Sequence, residues 1–243
     1  FINPVVGYIC RKWSTGHTFD CSNVEKGAAR YSYISNHRDI VLDSAMLSYQ
    51  LIENGFEETV EIGIGDNLLI YSWIRTLARL NRTFIVRRGL SPRELLASSQ
   101  LMSRYIHYAL TEKHANMWLA QREGRAKDSS DHTQEAVLKM LAMGKEGSPI
   151  DSLRELNIVP LTLSYEYDPC DSLKAKEFQL KRDDPRWKKS KQDDLENMKV
   201  GILGKKGHVH YEMAEPINTW IDELADEPRN TVFKSVTERM DRA

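Results

Sequence analysis

A histidine followed closely by two aspartates is the part of this sequence best suited to acid–base chemistry. His37 precedes Asp39 and Asp43 in the stretch SNHRDIVLD. A carboxylate on one imidazole nitrogen fixes the tautomer, so that the other nitrogen can accept a proton. Either aspartate could supply that carboxylate. The alternative is a surface loop in which Asp43 only caps the helix that follows it, and the pattern alone does not separate the two interpretations.

Two further clusters combine basic side chains with glycine, each directly after an apolar run. Paired arginines form forks that match phosphate oxygens, and glycine lets the backbone turn closely around a ligand. Solvated charges are the commoner explanation of the paired arginines, and the other cluster alone is a weak signal, but three clusters after neighbouring strands are more informative than one. The residues concerned are Arg87 and Arg88 in FIVRRG, and Glu123, Gly124, Arg125 and Lys127 in QREGRAKD.

Several other catalytic patterns are disfavoured. A dinucleotide-binding fingerprint would need glycine where Leu68 stands, and no G-x-S-x-G nucleophile elbow is present. The His-Arg-Asp at 37–39 resembles a kinase catalytic loop, but too little sequence precedes it for a nucleotide lobe. His208 and His210 alternate on one strand face, yet no third zinc ligand is evident.

The composition is that of an ordinary globular protein. Its 243 residues carry 41% hydrophobic and 28% charged residues, with a formal net charge of −1. This length predicts one large domain, with or without a small appendage. The absence of a basic excess disfavours nucleic acid as a partner. The three cysteines predict a reducing compartment, and no apolar run is long enough to span a bilayer.

Strand-like and helix-like segments alternate from residue 31 onward, which predicts an α/β domain with a largely parallel sheet. Function then gathers at the carboxyl ends of the strands. Predicted strands cover 31–35, 60–64, 83–86, 117–120 and 158–164, and predicted helices cover 43–54, 70–80, 91–112 and 133–143. Later segments are predicted as surface helices within 170–197, a hairpin of 199–203 with 208–213, and helices at 219–225 and 231–240.

The chain is predicted to comprise an N-terminal segment, 1–30, and a domain, 31–243, with a charged helical insertion at about 170–198. The N-terminal segment is expected either to pack on the domain or to lie at a membrane interface. The basic, Trp-containing stretch 186–191 has two interpretations, a site for anionic headgroups or an acidic carrier protein, and a solvated surface.

Taken together, four blocks of this sequence resemble the glycerolipid acyltransferase superfamily, which includes glycerol-3-phosphate and 1-acylglycerol-3-phosphate acyltransferases. The blocks are SNHRDIVLD, GDNLLIYSWIRTLARLNRTFIVRRG, WLAQREGRAKD and IVPLTLSYEY, in the family's order from about Tyr31 to Tyr167. There are two departures. Five residues rather than four separate His37 from Asp43, and one residue is missing between Gly124 and Arg125. Asp43 is favoured over Asp39 as the partner because it lies at the expected helix start.

The resemblance implies a glycerol-3-phosphate acyltransferase-like fold, a mostly parallel mixed sheet flanked by helices. It also implies transfer of a fatty acyl group from acyl-CoA or acyl carrier protein to a hydroxyl of glycerol 3-phosphate or a lysophospholipid, without a covalent enzyme intermediate. No metal or redox cofactor is expected, and the expected location is peripheral, at the inner or cytoplasmic face of a membrane. The implied catalytic residues are His37, Asp43 and Glu123, and the implied substrate-binding residues are Arg87, Arg88, Gly124, Arg125, Lys127 and Pro160.

Two other functions remain open on the sequence. One is acyl transfer to the oxygen or nitrogen of another lipid acceptor, such as an amino-acid lipid. The other is a non-catalytic module of the same fold that binds lipid or carrier protein. The irregular spacing between His37 and Asp43 is the feature that favours the second alternative.

Overall fold

A seven-stranded sheet forms the centre of the described chain, in a computed structural model that describes residues 2–69, 71–122, 124–128 and 130–243. The strands are β1 (Gly16–Asp20), β2 (Ser32–Ser35), β3 (Val60–Gly65), β4 (Thr83–Val86), β5 (Asn116–Ala120), β6 (Ile158–Tyr165) and β7 (His208–Met213). Their order across the sheet is β1-β7-β6-β2-β5-β3-β4. Every neighbouring pair is parallel except β6 with β7. The predicted α/β class with a mostly parallel, mixed sheet is confirmed.

Helices connect the strands and cover the sheet. They are α1 (Ile2–Trp13), α2 (Leu42–Glu53), α3 (Ser72–Leu80), α4 (Pro92–Thr111), α5 (Glu135–Leu141), α6 (Pro149–Glu155), α7 (Asp171–Asp183), α8 (Lys191–Leu203) and α9 (Val232–Met240). Short 3₁₀ turns cover Asp66–Leu68, Ala142–Gly144, Ile217–Thr219 and Ile221–Leu224. The start of α4 follows the prediction, because Ser91 and Glu94 form a reciprocal capping box and Pro92 opens the helix.

The sheet has a hydrophobic core on each face. Successive side chains of β2 point to opposite faces, so Tyr33 packs in one core and Ile34 in the other. The first core includes Leu47 of α2, and the second includes Leu138 of α5 and Val236 of α9. A parallel sheet needs this two-sided cover, because its strands are apolar on both faces. The arrangement holds the carboxyl ends of the central strands in fixed positions at one edge.

Two of the predicted elements were wrong, and one helix was missed. Residues 199–203 are the last turns of α8 and not a strand, so β7 forms no hairpin with them and pairs instead with β1 and β6. The run KVGIL is short and apolar, and such a run does not by itself distinguish helix from strand. The signal for helix α8 lies at its N-terminus, where Ser190 and Asp193 form a capping box. The helix predicted at 219–225 is a pair of 3₁₀ turns, and α6 was not predicted.

The N-terminal segment contributes a helix and an edge strand to the same sheet. Strand β1 runs parallel to β7, and the backbone N–H of Lys206 donates to the carbonyl of Trp13 at 2.8 Å. A role for this segment at a membrane interface stays a prediction. Among the described residues, no helix combines the length and the apolar character needed to cross a bilayer.

Candidate active site

His37 and Asp43 form a hydrogen-bonded pair in the loop between β2 and α2. The Nδ1 atom of His37 lies 2.7 Å from Oδ2 of Asp43. Asp43 is fully buried, whereas the His37 side chain is 17% exposed. The pair lies at the carboxyl end of β2, a central strand, which is where open parallel sheets place their ligands. The extra residue in the loop therefore does not prevent the pairing.

Asp43 is held by more than the imidazole. Its carboxylate accepts hydrogen bonds from the backbone N–H groups of Arg38 and Asp39, at 2.7 and 3.0 Å. The hydroxyl of Tyr165 on β6 donates to Oδ1 at 3.0 Å. Burial, together with the nearby Tyr211 and Asp43, raises the pKa of Tyr165 well above the usual tyrosine value, so its hydroxyl remains a donor. These donors fix the carboxylate and hence the orientation of His37.

Asp39, the other candidate partner, has a different task. Its Oδ1 accepts from the backbone N–H groups of Val41 and Leu42, both at 2.8 Å, and so it caps the start of α2. The expectation that Asp43 caps this helix was therefore wrong, because the helix begins one residue earlier, at Leu42. Burial, followed by the neighbouring Asp43 carboxylate, raises the pKa of Asp39.

The loop that carries His37 is packed against helix α8. A Cβ atom added to Gly201 would collide with Oδ2 of Asp39, which is itself fixed by its two capping bonds. We expect Gly201→Ala to lower the free energy of unfolding by about 1–3 kcal/mol, as overpacking of a filled site does. Urea denaturation measures this effect. Gly27→Ala is the matched control, because nothing lies within 4 Å of a Cβ added there. Equal stabilities of the two variants would contradict this packing.

The ring of His37 rests against an aromatic neighbour. Trp118 on β5 meets it edge-on, with ring centroids 5.7 Å apart. The indole Nε1 of Trp118 donates to Oγ of Ser35 at 3.0 Å, which fixes the indole in turn. No described residue forms a hydrogen bond with Nε2 of His37. With Nδ1 occupied by Asp43, that free nitrogen is the atom able to accept a proton from a substrate.

The loop after β2 is also hydrogen-bonded to β6, the strand beside β2 in the sheet. The side-chain amide of Asn36 donates to the carbonyl of Leu163 at 2.9 Å and accepts from its N–H at 2.8 Å. Pro160 lies on the same strand, buried and in register with Ile34 of β2. Proline is unusual in a central strand because it lacks a donor. Here its carbonyl still pairs, with the N–H of Ala214 at 2.9 Å.

The segment after β5 carries two cations that contact α7 and α8. Gly124 has φ +71°, a left-handed conformation that suits glycine. Arg125 is buried; its Nη2 donates to Oδ1 of Asn197 at 2.9 Å, while its Nη1 has no hydrogen-bond partner among the described residues. Lys127 lies 3.3 Å from a carboxylate oxygen of Glu177, and burial lowers the pKa of Lys127. Glu123 lies outside the described residues.

Arg87 and Arg88 lie farther from His37, at the end of a strand three positions from β2 in the sheet. Both are exposed at the end of the edge strand β4, and β3 separates that strand from β5. The backbone N–H of Arg88 donates to Oδ1 of Asp66 at 3.1 Å. No contact between described residues joins these arginines to Arg125 or Lys127.

The predicted charged insertion contributes buried side chains to the site. The Nζ atom of Lys174 on α7 donates to the carbonyl of Arg38 at 2.9 Å, and it also pairs with Asp168. Glu177 and Asn197, from α7 and α8, hold Lys127 and Arg125. Sequence analysis missed these partners, and it missed Tyr165 and Trp118. Tyr165 lies one residue beyond the predicted strand 158–164 and on the same face as Leu163, which is a signal for burial but not for contact with Asp43.

The alternative of a zinc pair on β7 finds no third ligand. His208 and His210 both contact the hydroxyl of Thr18 on β1, at 3.0 and 2.7 Å. Within the part of the chain that the structure describes, no group of three or more His, Cys, Asp or Glu side chains is arranged to hold a metal ion.

The comparisons with known proteins bear on the fold. No family model matches this chain, and no curated protein matches its sequence. A solved structure does match: the 1-acyl-sn-glycerophosphate (LPA) acyltransferase PlsC from Thermotoga maritima. The TM-score is 0.52 and the sequence identity 13%, over 99% of this chain and 76% of that one. At 13% identity the similarity establishes the fold alone. It supports the resemblance found in the sequence only as far as the fold is concerned. The chain thus has an α/β fold similar to that of a glycerolipid acyltransferase.

Proposed function

We propose that this protein is a glycerolipid acyltransferase. It moves a fatty acyl group from the thioester of acyl-CoA or acyl carrier protein to a hydroxyl of glycerol 3-phosphate or a lysophospholipid. The observation that carries the proposal is the His37 imidazole at the carboxyl edge of the sheet. Its Nδ1 lies on a buried carboxylate, and its Nε2 forms no hydrogen bond with a described residue. The similar fold of an LPA acyltransferase supports it.

The proposed reaction needs one base and no covalent enzyme intermediate. Nε2 of His37 takes the proton of the acceptor hydroxyl as its oxygen attacks the thioester carbonyl. The tetrahedral intermediate collapses, the carbon–sulfur bond breaks, and the thiolate leaves with the proton that His37 had taken. Asp43 stabilises the positive imidazolium in between. General-base assistance of this kind contributes about 10²- to 10⁴-fold to the rate.

The basic residues are proposed to bind the acceptor phosphate. Burial of Arg125, whose Nη1 has no hydrogen-bond partner in the described part of the chain, supports a role for it, because such a donor gains most from an anion. Gly124 would let the backbone approach the phosphate, Glu123 would order the loop or bind an acceptor hydroxyl, and Pro160 would help to wall the thioester site. The residues proposed to hold the phosphate are Arg87, Arg88, Arg125 and Lys127.

Replacing Arg125 tests the phosphate site. We expect Arg125→Ala to raise the KM for glycerol 3-phosphate about tenfold or more, since a charge-assisted hydrogen bond is lost. Arg125→Lys keeps the charge but loses the fork, so its effect should be intermediate. Steady-state kinetics with phosphate-bearing and uncharged acceptors measure this. An equal rise of KM for both kinds of acceptor would argue against a role in phosphate binding.

The proposed substrates connect the protein to membranes. Long-chain acyl donors and their lipid products partition into bilayers, so we propose a peripheral location at the inner or cytoplasmic face. The proposed partners are the acyl donor, the phosphate-bearing acceptor and the membrane surface, and not nucleic acid. The proposed steps use the side chains of this chain and its two substrates, with no metal or redox cofactor.

The proposal is tested by following thiol release from long-chain acyl-CoA and from acyl carrier protein. Each donor is incubated with glycerol 3-phosphate, with lysophosphatidate, with an amino-acid lipid or with no acceptor. Release that depends on a phosphate-bearing acceptor supports the proposal. Release only with the amino-acid lipid would favour transfer to another lipid. Donor binding without release under any condition would contradict the proposal and favour a non-catalytic binding module.

A further inference from the structure

The edge of the sheet at β4 exposes a group of large apolar side chains. Trp73 and Leu77 on α3 are 53% and 43% exposed, and Ile85 on β4 is 58% exposed. Tyr71 stacks on Trp73, with ring centroids 6.5 Å apart. We call this surface the β4 face, and it comprises Tyr71, Trp73, Leu77, Ile85, Leu95 and Leu96.

The helices of this face are only partly covered by the rest of the protein. In α3, the buried residues are Ile74 and Ala78. In α4, the buried residues begin at Ser103, so its first half, with Leu95 and Leu96, projects from the core. Large apolar side chains left exposed on consecutive elements of the fold are typical of an interaction site.

The charge of the same region indicates an anionic partner. Residues 71–104 contain seven arginines and one acidic residue, Glu94. Arg75, Arg79 and Arg93 are exposed, and they form no ion pair with any described residue. Elsewhere on the surface, basic side chains are often paired, as Lys189 is with Asp194 at 2.7 Å. Arginine and lysine near an anionic bilayer attract its headgroups.

The helices of the β4 face begin at the same edge of the sheet as the candidate active site. Helix α3 follows β3 and α4 follows β4, so the first turns of both helices lie at the carboxyl edge of the sheet, as His37 does. Three strand spacings separate β4 from β2, or about 14 Å. Tyrosine and tryptophan suit a membrane interface because each combines an apolar ring with a polar group.

We infer that the β4 face docks this protein on a bilayer that contains anionic lipid. The apolar side chains enter the headgroup region, and the arginines meet lipid phosphates. A second copy of the chain is a poorer occupant, since a symmetric contact would bring the same arginines together. That this docking brings lipid substrates to His37 rests on the proposed acyltransferase function. The docking itself is measured without turnover.

The test is co-sedimentation with vesicles of phosphatidylcholine alone or with about one third phosphatidylglycerol. Two variants, here called the β4-face variants, are Trp73→Ser with Leu77→Ser on the face itself and Arg75→Glu with Arg79→Glu among its neighbouring arginines. The matched control, Lys188→Glu with Lys191→Glu, reverses two exposed charges of the basic stretch 186–191 that form no ion pair with a described residue. All substituted side chains are exposed, so the variants should fold. His37→Ala is included to separate binding from catalysis.

Wild type, His37→Ala and the Lys188/Lys191 control should bind the anionic vesicles alike. Each β4-face variant should bind at least about tenfold more weakly. No binding by wild type, or loss only in the control variant, would overturn the inference. A dimer in solution that dissociates in the Trp73/Leu77 variant would overturn it in favour of a second copy. Vesicle binding without acyl transfer by wild type would leave the docking in place and contradict the proposed function instead.

Discussion

Replacing His37 with alanine should reduce acyl transfer by about 10²- to 10⁴-fold and leave the chain folded. The variant removes the free Nε2, the atom that takes the acceptor proton in the proposed reaction. The structural loss is small, since the ring makes one hydrogen bond, to Asp43, and one edge-on contact, with Trp118. We expect a destabilisation of about 1–2 kcal/mol. Acceptor-dependent thiol release and thermal unfolding measure the two effects separately.

His132→Ala provides a matched control. His132 also pairs with an aspartate, Asp241, at 3.3 Å, but its side chain is 79% exposed. Its removal should leave activity near that of wild type. Full turnover by His37→Ala would exclude His37 as the base, and an unfolded His37→Ala variant would show that the residue is structural.

Replacing Asp43 with asparagine should also lower activity by about 10²- to 10⁴-fold. The amide keeps the shape of the carboxylate but not the charge that stabilises imidazolium. Its NH₂ group must also face one of the donors that now point at the carboxylate, such as the N–H of Asp39 or the Tyr165 hydroxyl. We therefore expect a destabilisation of about 1–3 kcal/mol as well. Steady-state kinetics and urea denaturation measure the two effects.

Asp39→Asn is the matched control for this effect. Asp39 is a buried carboxylate in the same loop, but a single oxygen, Oδ1, accepts both of its capping bonds. An amide oxygen accepts the same two bonds, so Asp39→Asn should retain most activity. A loss of activity in Asp39→Asn as large as that in Asp43→Asn would contradict the assignment of Asp43 as the partner.

The parts of the fold that were predictable are those with strong local signals. The capping box of α4 spans Ser91 to Glu94, and the predicted strand 158–164 agrees with β6 to within one residue. The order of these elements gave a parallel sheet, and that placed His37 at its carboxyl edge. The secondary structure of residues 199–203 was harder to predict, because both a strand and a helix can bury that apolar run.

The candidate site was predictable only in part, for the same reason. The presence of His37 near two aspartates is a local pattern. Which aspartate it meets depends on how the loop folds against β6 and α8, where Tyr165 and Gly201 make their contacts. The bond between Arg125 and Asn197 joins residues 72 positions apart. Nothing local in the sequence marks such a pair, so the buried role of the charged insertion emerged from the structure.

The proposed chemistry requires the neighbours of His37 to hold its imidazole in place. A base that acts once per turnover must keep one tautomer and one orientation. The buried carboxylate of Asp43, with backbone donors on one side and Tyr165 on the other, meets this demand. A module that only bound lipid would not require it, and this is why the geometry favours an enzyme.

The most direct test of this account is the mass of the lipid formed from a thioester donor with an isotopically labelled acyl chain. Wild type and His37→Ala are incubated with this donor and glycerol 3-phosphate or lysophosphatidate. Wild type should form a labelled acyl ester of the acceptor and the variant almost none, and the protein itself should carry no labelled acyl group. Equal amounts of labelled ester with both proteins, or a labelled acyl-enzyme, would contradict this account.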